Sequence, residues 1–167
     1  AKIEIAAEDT RAVAVGTNEG VASADPRVAA LCLRAVVAAN SLPVGHGYDA
    51  ARLALGLADS EADIGVNQLF PHEANLDQWG GVSFSKGCYV GQEVVSRMQH
   101  RGTARRRVLI VSGLDLPVPG TDITVNGRPA GKLGSTAGDR GLAILRIDRV
   151  KDALDSGTPI EAEGVAL

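Results

Sequence analysis

The fold of this chain is organised by one stretch, Ser83-Phe84-Ser85-Lys86-Gly87-Cys88-Tyr89-Val90-Gly91-Gln92-Glu93. It joins a loop rich in serine and glycine to a helical pattern over residues 90–99, whose apolar residues can form one face. Gly87 and Gly91 let the backbone turn on both sides of Cys88, where a side chain would be costly. The pattern therefore predicts a tight loop that leads into a helix.

Cys88 is the chemically distinctive residue of this stretch, because it is predicted to lie just ahead of the helix N-terminus. Unpaired N–H groups and the helix dipole favour a thiolate there, and Lys86 adds positive charge nearby. The alternative is a small buried cysteine in a tight turn. The residues by themselves leave both interpretations open.

The string Lys-Gly-Cys-Tyr-Val-Gly-Gln-Glu at residues 86–93 resembles the signature of the YgfZ family. These proteins are folate-binding relatives of the glycine-cleavage T-protein, an aminomethyltransferase. The likeness extends upstream through residues 70–74 and 80–84 and downstream through residues 94–98 and 100–102. The T-protein itself resembles the region less well, because an acidic residue normally stands where Cys88 does. The resemblance implies that this chain corresponds to the C-terminal portion of such a protein.

Composition limits the classes of protein to be considered. The 167 residues have room for one or two small domains, and 45% hydrophobic residues suffice for a core built from Val, Leu, Ile and Ala. The net charge of −3 gives no reason to expect nucleic-acid binding. Residues 86–107 nevertheless carry six basic side chains against one acid, which suggests an anionic partner or a docking face.

Cysteine usage and hydropathy bear on the compartment. The two cysteines, Cys32 and Cys88, form no disulfide framework and no Cys/His cluster, so a reducing, cytoplasmic location is expected and no metal site is predicted. Charges interrupt the longer apolar runs, so no membrane span is expected.

Periodicity and turn residues predict the elements that precede residue 104. Strands are expected over residues 2–7 and 11–15, a loop over 17–24, a buried strand within 27–38 and a helix over 48–57. The acidic residues 58–68 are predicted to form an exposed loop, and 70–81 a polar stretch outside the core.

From Arg105 onward, short apolar runs alternate with glycine turns, and Asn126-Gly127 is a strong hairpin signal. Such spacing predicts a small antiparallel barrel or sandwich, in agreement with the β-barrel that closes T-protein relatives. We therefore predict an α+β fold, the C-terminal part of a T-protein-like fold. Residues 1–103 would form a partial folate-binding-type domain and residues 104–167 a β-barrel.

The family binds tetrahydrofolate, so the resemblance implies a folate cleft near the Cys88 loop. A folate needs a flat apolar slot, polar groups for the pterin and cations for its glutamate tail. The candidate binding residues are Glu73, Gln92 and Glu93 for the pterin, Arg97 and Arg101 for the tail, and Lys86 and Tyr89 beside the thiol. Each has a structural alternative: Glu93 and Arg97 can simply pair on the helix surface, and Tyr89 can belong to the core.

The resemblance implies an accessory protein that assembles or repairs iron–sulfur clusters, including those of tRNA-modifying enzymes, with Cys88 as the working thiol. Its partners would be folate and iron–sulfur client or assembly proteins, bound transiently. One alternative is a T-protein-like one-carbon transferase that uses tetrahydrofolate. Another is a binding module without chemistry of its own.

Overall fold

The computed structural model describes residues 11–15, 17, 20–31, 33–39, 41, 47–65, 68–102 and 104–167. The strand predicted over residues 2–7 and the core position predicted for Cys32 lie outside these residues. The chain divides into two compact units, Ala1–Tyr48 and Asp49–Leu167. The predicted boundary at residues 103 and 104 stays a prediction.

The first unit contains a three-stranded antiparallel sheet with strand order β1-β3-β2. The prediction of a loop over residues 17–24 is wrong, because part of it pairs with β3 as a strand. The buried strand predicted within residues 27–38 is interrupted by a 3-10 turn, and its second half is buried only at alternate positions. The strands are β1 (Arg11–Val15), β2 (Val21–Ala24) and β3 (Leu33–Ala38).

The described residues from Tyr48 onward form three α-helices and a six-stranded sheet. The helices are α1 (Tyr48–Ala54), α2 (Gln92–Arg101) and α3 (Ile147–Ser156). The strands are β4 (Arg106–Ser112), β5 (Asp122–Val125), β6 (Arg128–Ala137), β7 (Arg140–Arg146), β8 (Ile160–Ala162) and β9 (Val165–Ala166).

All neighbours in this sheet are antiparallel, in the order β4-β7-β6-β5-β8-β9. Asn126 and Gly127 both have positive φ, 49° and 70°, as the predicted two-residue hairpin requires. A Cβ on Gly113, just after β4, would lie 2.8 Å from the carbonyl oxygen of Ala166 in β9, so the sheet curls until its outer strands approach. The α+β class and the antiparallel barrel are confirmed, whereas the T-protein-like arrangement stays a prediction.

The barrel is filled by aliphatic side chains from most of its strands, and α1 packs against its outside. Leu53 of α1 contacts Val108 and Leu142, and all three are buried. The inner cluster consists of Val111, Ile123, Ala130, Leu133, Ala143, Leu145 and Ala162. Among the described residues, none of the helices has the length and apolar character needed to cross a bilayer.

The segment after α1 is ordered by a buried ion pair. Arg52 Nη1 lies 2.7 Å from Asp63 Oδ2, with 5% and 2% of the two side chains exposed. Asp63 belongs to a π-helical turn, Ser60–Ile64, and also accepts a bond from the backbone N–H of Ser135 in β6. The prediction of an exposed loop over residues 58–68 is therefore wrong at Asp63, because its carboxylate is buried and binds Arg52 and the Ser135 N–H.

Candidate functional site

The loop that carries Cys88 is closed by a clasp between its two ends. The Tyr89 hydroxyl donates to the carbonyl oxygen of Ser83 at 3.0 Å, and the Lys86 N–H donates to the Ser83 hydroxyl at 3.2 Å. The Lys86 ammonium lies 4.7 Å from the centre of the Tyr89 ring, within the range of a cation–π contact. The clasp holds the loop in one shape just ahead of α2.

Cys88 is a free, exposed thiol at the outside of this loop. Burial of the cysteine in a tight turn, the alternative to a reactive thiol, is thereby excluded. Gly91 caps α2 with a φ of 86°, a backbone conformation that favours glycine. Gly87 does not need to be glycine, because its φ is not positive and a Cβ there would meet no atom within 4 Å.

The exposed side of α2 forms an open groove of about 490 Å³. Four of the seven predicted binding residues line it, together with two residues of the same helix that were not predicted. Glu93 and Arg97 form an ion pair within the helix, which is the structural alternative for these two residues. The lining residues are Gln92, Glu93, Ser96, Arg97, His100 and Arg101.

Glu73 lies apart from this groove, on a segment that is fixed to β4. Arg106 binds both of its carboxylate oxygens, at 2.8 and 2.9 Å, and the Phe70 N–H donates to one of them. The hydrogen bonds to Glu73, together with its charge, raise the pKa of Arg106. The Val108 N–H donates to the Glu73 carbonyl at 3.1 Å, which attaches the segment to the edge of the barrel.

A second ion pair supports the same attachment. Arg107 donates to both carboxylate oxygens of Asp77, at 2.6 and 2.9 Å. Burial alone would raise the pKa of Asp77, but the hydrogen bonds and charge of Arg107 outweigh it and hold that pKa below its ordinary value. The prediction that residues 70–81 lie outside the core is wrong, because His72, Glu73 and Asn75 are all buried.

His72 connects this segment with both α2 and the Cys88 loop. Only 1% of it is exposed, its Nε2 lies 3.3 Å from Gln99 Oε1, and its ring centre lies 6.0 Å from that of Phe84. In the described residues, the buried side-chain polar atoms without a partner are His72 Nδ1, Asn75 Oδ1 and Trp79 Nε1.

The described residues fit the glutamate tail of tetrahydrofolate but not its pterin ring. Arg101 and His100 are exposed on the groove, where they can meet the carboxylates of the glutamate tail. A pterin needs an enclosing slot. The groove is open and lined without aromatic side chains, both oxygens of Glu73 are bonded to Arg106, and Lys86 covers Tyr89.

No group of three His, Cys, Asp or Glu side chains in the described ranges is placed to hold a metal ion. The ion pairs at Asp63, Glu73 and Asp77 were also missed from the sequence. Their partners lie 11 to 33 positions away along the chain, so no helical or strand period connects them. Two of the partners, Arg106 and Arg107, belong to the three consecutive arginines at residues 105–107, whose positive charge was the available signal.

Comparison with known proteins gives two kinds of match. Residues 105–167 match the family model of the CAF17 C-terminal β-barrel domain. The mouse protein named iron–sulfur cluster assembly factor IBA57, mitochondrial, is 34% identical over 146 residues, which cover 78% of this chain and 40% of that protein. The human protein of that name is 37% identical over 113 residues, which cover 64% of this chain and 32% of the human protein. The Neosartorya fischeri homologue is 31% identical over an alignment 172 residues long, which covers 89% of this chain and 38% of that protein.

The chain thus spans less than half the length of these curated relatives. The matches support the resemblance broadly, but the relatives are IBA57 proteins rather than YgfZ itself. The predicted cytoplasmic location is wrong, because these relatives are named as mitochondrial proteins.

Proposed function

We propose that this chain belongs to an accessory protein of iron–sulfur cluster assembly in which Cys88 is the working thiol. The observation that carries the proposal is the exposed Cys88 on a clasped loop, in a chain similar to proteins named as iron–sulfur cluster assembly factors. The names of these relatives favour a mitochondrial setting.

The chemistry of the site requires a partner. A cluster normally needs four thiolates or equivalent donors, and Cys88 supplies one. A client or assembly protein must therefore provide the others while the two proteins are in contact. Cys88 acts either as a transient cluster ligand or as a redox thiol towards such a partner.

Complementation tests the role of the thiol. The complete protein, with either Cys88→Ser or Ser85→Ala, is expressed in cells that lack the matching assembly factor, and iron–sulfur enzyme activity is measured per amount of folded protein. Ser85 is an exposed residue of the same loop and is the matched control. We expect rescue by Ser85→Ala and none by Cys88→Ser; full rescue by Cys88→Ser would refute the proposal.

Tetrahydrofolate is the cofactor that we propose for the complete protein, with its glutamate tail along α2. The support is the pair of exposed side chains Arg101 and His100 on the groove. Calorimetric titration of the complete protein with a polyglutamylated tetrahydrofolate should show Arg101→Gln weakening the affinity about tenfold, a typical loss for a charged hydrogen bond. Arg105→Gln, exposed but outside the groove, is the control, and an unchanged Kd for Arg101→Gln would refute the tail site.

A further inference from the structure

Three large apolar side chains near Cys88 are exposed, although the ring of one of them, Phe84, also lies against the buried His72. Val90 is 103% exposed, Phe84 50% and Val94 40%. The clasp joins Ser83 to Tyr89, which are the chain neighbours of Phe84 and Val90. We call Phe84, Val90 and Val94 the apolar patch.

Exposure of single apolar residues is common, and Leu114 is 83% exposed on the loop after β4. The apolar patch differs because three such residues lie within 11 positions and the clasp fixes the loop between them. A fixed apolar patch with a polar rim is typical of a protein interaction site.

Two cations of the Cys88 loop and α2 have no carboxylate partner among the described residues. Lys86 rests on the Tyr89 ring, and Arg101 is exposed on the groove; neither pairs with an acid in the described part of the chain. Glu93 is the only carboxylate lining the groove, and Arg97 neutralises it. The exposed side chains of residues 84–101 are therefore apolar on either side of Cys88 and carry positive charge at Lys86 and Arg101 that no carboxylate of the described residues neutralises.

We infer that this surface docks a protein partner whose contact face is aliphatic at its centre and acidic at its rim. The inference rests on the proposed function, because that partner supplies the donors that complete the site at Cys88. Complementary charge would speed the encounter and select the partner.

The occupant can be probed with short peptides tethered to the thiol. Each five-residue peptide has a central cysteine in a mixed disulfide with 2-mercaptoethanol. The Cys88 thiolate attacks the peptide sulfur, a new disulfide forms, and 2-mercaptoethanol leaves as a thiolate that takes up a proton, so no net oxidation occurs. Four peptides combine leucine or serine beside the cysteine with glutamate or lysine at the ends.

Exchange constants are measured on the full chain in excess 2-mercaptoethanol, and mass spectrometry of the tryptic peptide 87–97 separates Cys88 from Cys32. We expect the exchange constant of the leucine–glutamate peptide to be about tenfold larger than that of the serine–lysine peptide. The difference between the two constants should shrink at high salt. Val90→Ser should reduce that preference to about twofold, because it removes the most exposed apolar contact. Leu114→Ser, also at a highly exposed apolar residue but on another loop, should leave the preference unchanged.

Equal exchange of all four peptides, or a preference that Val90→Ser leaves intact, would overturn the inference. The outcome is separate from that of the complementation assay. Selective exchange together with full rescue by Cys88→Ser would refute the proposed function and leave the docking surface standing. Unselective exchange together with failed rescue would refute the surface and leave the thiol in its role.

Discussion

The buried ion pair between Arg52 and Asp63 permits a prediction whose magnitude follows from its contacts. Asp63 accepts hydrogen bonds from Arg52 at 2.7 Å, from the Asp59 N–H at 2.8 Å and from the Ser135 N–H at 2.6 Å. Asp63→Ala removes all three and leaves the Arg52 guanidinium, 5% exposed, without its buried counter-ion. Breaking a buried pair on one side costs about 3–5 kcal/mol.

The lower end of that range applies here, because Arg52 keeps a bond to Asp49 at 2.7 Å and another to Ser135 Oγ at 2.8 Å. We therefore expect Asp63→Ala to lower the free energy of unfolding by about 3 kcal/mol. For a chain of this size that corresponds to a fall in Tm of about 6–12 °C. Urea and thermal unfolding followed by circular dichroism measure both quantities.

Asp122→Ala provides a matched control for this experiment. Lys132 Nζ lies 2.7 Å from Asp122 Oδ1, the same separation as in the buried pair, but 64% and 71% of the two side chains are exposed. An exposed pair contributes about 0–1 kcal/mol. If Asp63→Ala cost no more than Asp122→Ala, the argument from burial would be refuted.

Three further predictions concern the barrel and the segment attached to it. Gly131→Ala should prevent stable folding, because a Cβ there would collide with the Ile144 carbonyl oxygen. Gly87→Ala is the control and should leave the Tm unchanged, because a Cβ at residue 87 would lie in open space. Equal Tm values for the two variants would contradict the strand packing. Because the folded pKa of Asp77 is lowered, its pair with Arg107 stabilises the protein above the ordinary pKa of 3.8 and is lost as pH falls through the folded value. Acid titration of stability should therefore show a smaller loss below about pH 4 in Asp77→Asn than in the parent, and identical curves would count against the pair. Glu73→Gln should lower the free energy of unfolding by about 1–3 kcal/mol, because Arg106 loses its charged partner. The rate of Cys88 labelling should stay unchanged, because this ion pair lies apart from the Cys88 loop. An unchanged free energy of unfolding in chemical denaturation would show that the attachment is unimportant.

The barrel was predictable because each of its signals is local. Alternating short runs, glycine turns and Asn126-Gly127 fix the pairing of β5 with β6 within a few residues. The hairpin needs only two residues of positive φ, a property of asparagine and glycine themselves.

The attachments to the barrel could not be predicted, because the interactions that form them are not local. Whether Asp63 is solvated or buried depends on Ser135 of β6, 72 positions away. From the sequence, Glu73 was predicted to bind the pterin. It becomes the partner of Arg106 only when its segment folds onto β4. Charged residues at these positions have the same pattern as an exposed loop, so composition assigned them to solvent.

The proposed role of Cys88 requires the folded protein to present its sulfur to solvent, and alkylation kinetics measure that exposure. The intact protein and the urea-unfolded protein are treated with iodoacetamide at one pH, and modification of Cys88 is followed by mass spectrometry. An exposed thiol should react in the native state within about tenfold of its unfolded rate. A native rate slower by about a thousandfold, the mark of a thiol reached only through unfolding, would contradict the account.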